Sequence, residues 1–307
     1  MMPKILVTGG TGFIGQNLIP QLVIAGYRVV TTIRHNSKVD DLPTNVTQYL
    51  ISKSNDIDTI FANEEIDAVI HLATNYSHEV DHKASLEMLE SNIIFGSLLL
   101  SAMTRNGCYH LVNTTSCAEF NAYGDYSPNS LYAASKRAFR DICEYYVNNQ
   151  ELKRIDLVLY DNYGPHDQRG KLLSLLCRAL VSGDKIALSP GDQQLNLVHV
   201  DDTVKALIVS LELCLRKKEY PLSDIYSVAP VESISVKLLV STLESIYHKT
   251  LRAQWGARPY RLNELMTPWV GQPVPGWSPS VTLREGLKQQ LMAATNFLEQ
   301  NTPANLQ

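Results

Sequence analysis

The chain has 307 residues, 45% of them in the broad hydrophobic class, enough to bury a full core in one large α/β unit or in a main domain with a smaller annex. Its 27 Lys and Arg against 31 Asp and Glu leave a formal charge of -4, so no global positive field points to a nucleic-acid partner. Five cysteines (Cys108, Cys117, Cys143, Cys177 and Cys214) are odd in number and form no CxxC pair, which argues against a disulfide framework and against a structural metal site. No apolar run approaches membrane-spanning length. The N-terminus reaches a glycine-rich turn within ten residues, unlike a secretory signal, so a cytoplasmic protein with no membrane partner is expected.

In chain order, Lys4 to Thr8 reads as a buried strand, followed at once by GGTGFIG and by a helix over Gln16 to Ala25. Tyr27 to Ile33 and Val46 to Ile51 read as strands, Asp56 to Glu64 as a short helix, and Ala68 to Leu72 as a strand. A long helix over Ala84 to Met103, a strand over Tyr109 to Val112, a helix over Leu131 to Asn148 and a strand over Asp156 to Tyr160 complete the first half. Alternating βα units with continuous apolar strands predict an α/β fold, a modified Rossmann sheet covered by helices on both faces. Further on come a helix over Lys171 to Val181, a strand over Leu195 to Val200, a helix over Thr203 to Leu215, where Asp201 and Asp202 would cap, and a closing helix from Leu283. This reads as a cofactor-binding domain over 1–163, rejoined by 195–228, and a smaller mixed α/β substrate domain over 164–194 and 229–307.

Gly9, Gly12 and Gly15 lie between a strand and a helix. One such position makes the tight turn, one lets the backbone approach a pyrophosphate, and one lets helix and strand pack closely. The second strand ends in VVTTIRHNS, with no acid to accept hydrogen bonds from an adenosine ribose and with Arg34 just beyond. A guanidinium there suits a 2'-phosphate, so NADP(H) is expected over NAD(H).

Tyr132 and Lys136, four residues apart in LYAASKRAF, share a helix face. A lysine ammonium one turn away would stabilise the phenolate and draw the phenol below its ordinary pKa of about 10. The preceding strand ends in LVNTTSCAE, so Thr114, Thr115 and Ser116 each offer the hydroxyl that would orient a substrate oxygen. His71 reads as a buried core histidine rather than a ligand.

These residues carry a resemblance. TGGTGFIG at 8–15, HLAT at 71–74, Tyr132 with Lys136, NYGP at 162–165, HVDD at 199–202 and GARP at 256–259 resemble the extended short-chain dehydrogenase/reductase superfamily, in its nucleotide-sugar branch. Within it, IHLATNYSH, VNTTS, YGPHDQRGK and WGARPYRLNELM are most similar to the CDP-abequose synthase group of sugar 4-ketoreductases. The resemblance implies that Tyr132 is the proton donor, Lys136 its partner, and Thr115 or Ser116 the third catalytic group. It implies that Thr11, Phe13 and Ile14 of the glycine turn, with Leu72, Ala73 and Thr74, line the cofactor. Thr74, Tyr76, His78, Cys117, Asp161, Asn162, Arg169, Lys171 and Arg258 would face the substrate. Arg258 fits an arginine that clamps the nucleotide diphosphate, while Leu195 stands where the family often carries another arginine.

The activity so implied is NADPH-dependent reduction of the 4-keto group of a CDP- or dTDP-linked deoxyhexose by a homodimer. An NAD-dependent nucleotide-sugar 4-epimerase is the alternative within the superfamily, and a non-catalytic dinucleotide sensor the alternative outside enzymes. A dehydratase would need an acid pair directly after the catalytic threonine, where Ser116 and Cys117 stand.

Overall fold

A computed structural model describes residues 2–77, 81–165, 167, 169–217 and 222–301. Strand β1 (Lys4–Thr8) leads into helix α1 (Phe13–Ile24), followed by β2 (Arg28–Ile33) and β3 (Thr47–Leu50). Helix α2 (Ile57–Asn63) precedes β4 (Ala68–His71), which is buried at every position, as expected of a strand covered on both faces. Helix α3 (His82–Leu89) is capped by Asp81, whose carboxylate accepts from the Ala84 amide. It passes through a π turn over Glu90–Ile94 into α4 (Phe95–Arg105). Strand β5 (His110–Ser116), a 3-10 turn (Cys117–Glu119), α5 (Leu131–Asn149) and β6 (Lys153–Leu159) follow.

Beyond these come β7 (Asp161–Tyr163), α6 (Leu172–Ser182), β8 (Lys185–Ala187), β9 (Gln194–Leu195), β10 (Leu197–His199) and α7 (Val200–Arg216). The described chain continues through β11 (Leu222–Val228), β12 (Ile234–Ser235), α8 (Val236–Tyr247), β13 (Arg252–Gln254) and α9 (Leu283–Asn301).

The chain forms two compact units. The first holds residues 1–159, 203–228 and 269–278; the second holds 160–202, 229–268 and the chain from 279 onward. In the first, seven parallel strands lie in the order β11-β6-β5-β4-β1-β2-β3, the crossovers running through helices. Leu6, Val69, Leu99, Leu111, Phe139 and Val147 form its core. In the second, three two-stranded pairs, β10 with β7, β12 with β9 and β13 with β8, accompany α6, α8 and α9. Leu176, Leu180, Leu239, Leu243 and Leu287 pack at its centre.

Three sequence-based boundaries move. The strand expected over Leu195 to Val200 is two short strands, and α7 begins at Val200. Asp202 therefore sits inside the first turn instead of capping it, its carboxylate accepting from the Ser280 and Val281 amides. Strand β5 extends four residues beyond Val112, through the polar run NTTS, because β6 supplies ladder partners as far as Ser116, while β4 pairs only as far as Asn113. The helical run over 82–105 is, against expectation, long and apolar enough to span a bilayer by length and composition. In this fold Leu99, Leu100 and Met103 place that apolar face in the core of the first unit.

Candidate active site

The site grows from the carboxyl ends of β1, β4 and β5. Gly9 sits at φ +73, and a Cβ there would lie 2.7 Å from the Ala73 amide nitrogen. A Cβ on Gly15 would lie 2.5 Å from the Gly9 carbonyl oxygen, so only hydrogens let α1 approach the turn. Helix α1 starts after Gly12 with no side-chain cap and no acid in its first turn. That leaves a positive helix end suited to a pyrophosphate, and the glycine cradle fits a dinucleotide. At the end of β2, Thr32 Oγ1 accepts from the Gly9 amide, and the hydroxyls of Thr11 and Ser37 are 3.1 Å apart. Arg34 is exposed, and among the described residues its guanidinium makes no hydrogen bond or ion pair that would aim it at a phosphate.

His71, at the end of β4, is buried with Nδ1 2.7 Å from Thr8 Oγ1 and its ring against Phe95 and Phe139. Burial first, and the neighbouring Lys136 charge second, push it down to about 3, so it stays neutral. The Thr8 hydroxyl also accepts from the Ala73 amide, tying the loop Leu72–Thr74 to β1.

Tyr132 and Lys136 lie on the first turns of α5, which Ser130 caps by accepting from the Ala133 amide. The phenol lies near the Thr74 hydroxyl, and the Tyr76 ring meets it edge-on at 5.0 Å. The expectation that Lys136 would draw this phenol downward does not hold here. Burial outweighs the Thr74 hydroxyl and, with the Glu119 charge, pushes Tyr132 up to about 12. Burial likewise brings the Lys136 ammonium down to about 8, against the pull of Glu119 and Asp156. Each charge is disfavoured alone, so a phenolate and an ammonium one helical turn apart favour one another.

The hydroxyls at the end of β5 take different parts. Thr114 donates to the His71 carbonyl. Thr115 Oγ1 is enclosed and has no hydrogen-bond partner among the described residues. Ser116 is the last residue of the strand and only half-buried; its Oγ accepts from the Ala118 amide, leaving its own proton to donate.

Two site residues were missed in the sequence. Asn92 is buried in the π turn, where its Oδ1 accepts from the Thr74 hydroxyl (3.1 Å) and the Asn75 amide (2.7 Å). Its Nδ2 donates to the Asn75 carbonyl (2.9 Å) and to Ser135 Oγ (3.0 Å). Ser135 in turn donates to the Tyr132 carbonyl, so one amide ties the loop after β4 to the turn of α5 that carries Tyr132. The extra residue of the π turn aims Asn92 inward, and helical periodicity gives no sign of it. Asn92→Ala is expected to lower stability by about 2–4 kcal/mol, through the orphaned Asn75 groups, and turnover about tenfold. Chemical denaturation beside a rate measurement checks both.

Glu119 is the second, fully buried in the 3-10 turn. Burial pushes its carboxyl up to about 7 despite Arg140 nearby. A carboxyl raised in the folded state holds its proton between about 4.5 and 7, where the unfolded chain has released it. Its contribution is therefore full below about pH 4.5 and lost as pH rises through 7. Glu119→Gln should remove this slope, worth about 3 kcal/mol, from the pH dependence of unfolding. Equal slopes in both proteins would contradict it.

The remaining candidates divide. Cys117 lies in the turn beside Tyr132, contributing to its electrostatics. His78 lies outside the described residues. In the second unit, Lys171 Nζ is 3.7 Å from Asp161 Oδ1, and Asn162 is buried with its side-chain amide donating to the Tyr160 carbonyl. Arg169, expected to supply charge to substrate, is instead held in two-point contact by Asp167 and donates to the Asn162 carbonyl. Arg258 is exposed, with its amide donating to the Leu188 carbonyl.

A family model described as the NAD dependent epimerase/dehydratase family matches residues 5–229. CDP-abequose synthase of Yersinia pseudotuberculosis is 27% identical, over 86% of this chain and 91% of that protein. Among solved structures, UDP-glucose 4-epimerase of Thermotoga maritima with UDP-glucose superposes with a TM-score of 0.84 at 23% identity, covering 96% of this chain and 99% of that one. The Thermus thermophilus UDP-glucose 4-epimerase complex with NAD gives 0.82 at 22% identity, covering 95% and 98%. Against these findings the expectation of NADPH-dependent 4-ketoreduction does not stand: the matching family is NAD dependent, and the solved neighbours are 4-epimerases, one with NAD bound. The inference from Arg34 to NADP(H) fails with it, since an exposed, unanchored guanidinium selects no phosphate.

Proposed function

The chain belongs to the NAD dependent epimerase/dehydratase family, and from that premise we propose that it is a nucleotide-sugar 4-epimerase working with NAD. The observation that carries this reading is the phenol of Tyr132, one turn from Lys136, at the carboxyl edge of a glycine-cradled sheet. The first unit would hold the cofactor, with Gly9, Thr11, Gly12, Phe13, Ile14 and Gly15 around the pyrophosphate and Leu72, Ala73 and Thr74 along its length. When bound, NAD would supply a reversible hydride acceptor for the sugar C4–H and a positive charge favouring the phenolate.

Tyr132 takes the 4-hydroxyl proton as the C4–H bond breaks and gives it back on the return step. Lys136 holds the phenolate during that interval. Ser116, rather than Thr115, donates to the sugar oxygen, because its hydroxyl is reachable and the Thr115 hydroxyl is enclosed. Elimination of the dehydratase kind is not favoured, because Cys117 and Ala118 follow Ser116 where that reaction needs an acid pair. A silent sensor would have no use for an intact Tyr132–Lys136 pair.

The test is to identify nicotinamide retained through gel filtration by mass, then incubate the protein with UDP-glucose, UDP-N-acetylglucosamine, UDP-glucuronic acid and CDP-glucose. Proton NMR should show the C4 epimer of at least one, with no net consumption of NAD. A protein that retains NAD and epimerises none of the four is not such an enzyme. Pairing of two copies through the 82–105 helix and α5 belongs to the same proposal, since Leu86, Ile94, Leu98 and Tyr145 leave apolar side chains exposed there. Light scattering should return twice the monomer mass of 34.3 kDa.

A further inference from the structure

Glu119 and Arg140 form a buried pair that the chemistry above does not use. Glu119 Oε2 is 3.5 Å from the Arg140 guanidinium, with side-chain exposures of 0% and 12%. The other oxygen, Oε1, accepts from the Ser116 amide at 3.2 Å, closing the 3-10 turn as a capping box. Arg140 lies one helical turn beyond Lys136, and its guanidinium stacks over Phe120, the residue after Glu119. Its own carbonyl accepts from Arg154, which pairs with the buried Asp156 of β6. The groups facing Glu119 are thus the Ser116 amide from β5, Arg140, Lys136 and Tyr132 from α5, and Asp156 from β6.

We propose that the Glu119–Arg140 pair is a positioning clamp, which fixes the end of β5 carrying the Ser116 hydroxyl against the turn of α5 carrying Tyr132 and Lys136. It rests on the reading of those three as the catalytic groups. A buried ion pair is a costly way to add stability, since an apolar pair of similar volume would serve as well. What it provides is direction. One carboxylate accepts from a single strand-end amide and meets a single helical guanidinium, so neither element slides without breaking a charged contact.

The test uses the full chain with its bound cofactor and a double-mutant cycle of Glu119→Gln, Arg140→Gln and both together. A clamp predicts that each single change lowers kcat about tenfold with KM within twofold, and that the double change is no worse than either alone. Glu119→Asp, too short to reach both partners, should fall as far as Glu119→Gln. Multiplicative losses, or losses confined to thermal stability, overturn the clamp.

A second readout needs no sugar. In protein carrying tyrosine labelled with carbon-13 at the phenol carbon, the Tyr132 resonance is assigned by its loss in Tyr132→Phe. Its ionisation should move to lower pH in Glu119→Gln, by half a unit or more, because a negative neighbour is gone. An unmoved titration overturns the proposal even if every sugar tried is turned over. A shifted titration in a protein that epimerises nothing keeps the clamp and removes the epimerase reading.

Discussion

Tyr132→Phe is expected to lower turnover about a thousandfold, inside the range of roughly 10²–10⁴ for a positioned acid–base group, while leaving NAD affinity within about twofold. The substitution removes one oxygen and keeps the ring, so the edge-on contact with Tyr76 and the capped first turn of α5 survive. What disappears is the oxygen proposed to exchange a proton with the sugar 4-hydroxyl. Because the loss is confined to the reacting step, kcat should fall and KM should stay near its original value. Steady-state kinetics on the sugar found to be epimerised, with fluorescence titration of NAD, separates the two. A fall of less than tenfold would remove Tyr132 from the chemistry.

Gly15→Ala is expected to weaken NAD binding by at least about a hundredfold, or about 2.7 kcal/mol. The added Cβ would stand 2.5 Å from the Gly9 carbonyl oxygen and 2.6 Å from the Gly10 Cα. Both are backbone atoms of the same tight turn, so relief requires the turn to open and carry the start of α1 off β1. The amides that would face the pyrophosphate move with it. Circular dichroism and melting without added cofactor distinguish a misplaced turn from a lost fold; the expected outcome is a folded protein that no longer retains nicotinamide. Retention of NAD at wild-type level would show that the turn is looser than its packing implies.

The distribution of these effects follows the way charge is buried around α5. Asn92 and Glu119 touch neither reacting atom, yet each spans two of the elements that carry the site: the loop after β4 to α5, and the end of β5 to α5. Polar groups enclosed in a low dielectric tolerate little displacement, because a lost partner is not replaced by water. That is why a single amide and a single carboxylate can hold elements that are far apart in sequence.

Much of this was legible in the sequence, for a definite reason. The glycine triplet, the apolar strands and the Tyr132–Lys136 spacing are local patterns, each dictated within a few residues by backbone sterics or helical repeat. They placed the sheet, the glycine turn and the helix carrying Tyr132 and Lys136 correctly. Tertiary structure decided the rest. Which hydroxyl of Thr115 and Ser116 is reachable depends on where β5 ends, and its neighbour β6, paired as far as Ser116, sets that. The π turn that aims Asn92, the Asp167 carboxylate that occupies Arg169 and the Arg140 that meets Glu119 are relations that spacing alone does not encode. The cofactor was misread because Arg34 was taken as aimed, and aim comes from the partners a side chain keeps in three dimensions.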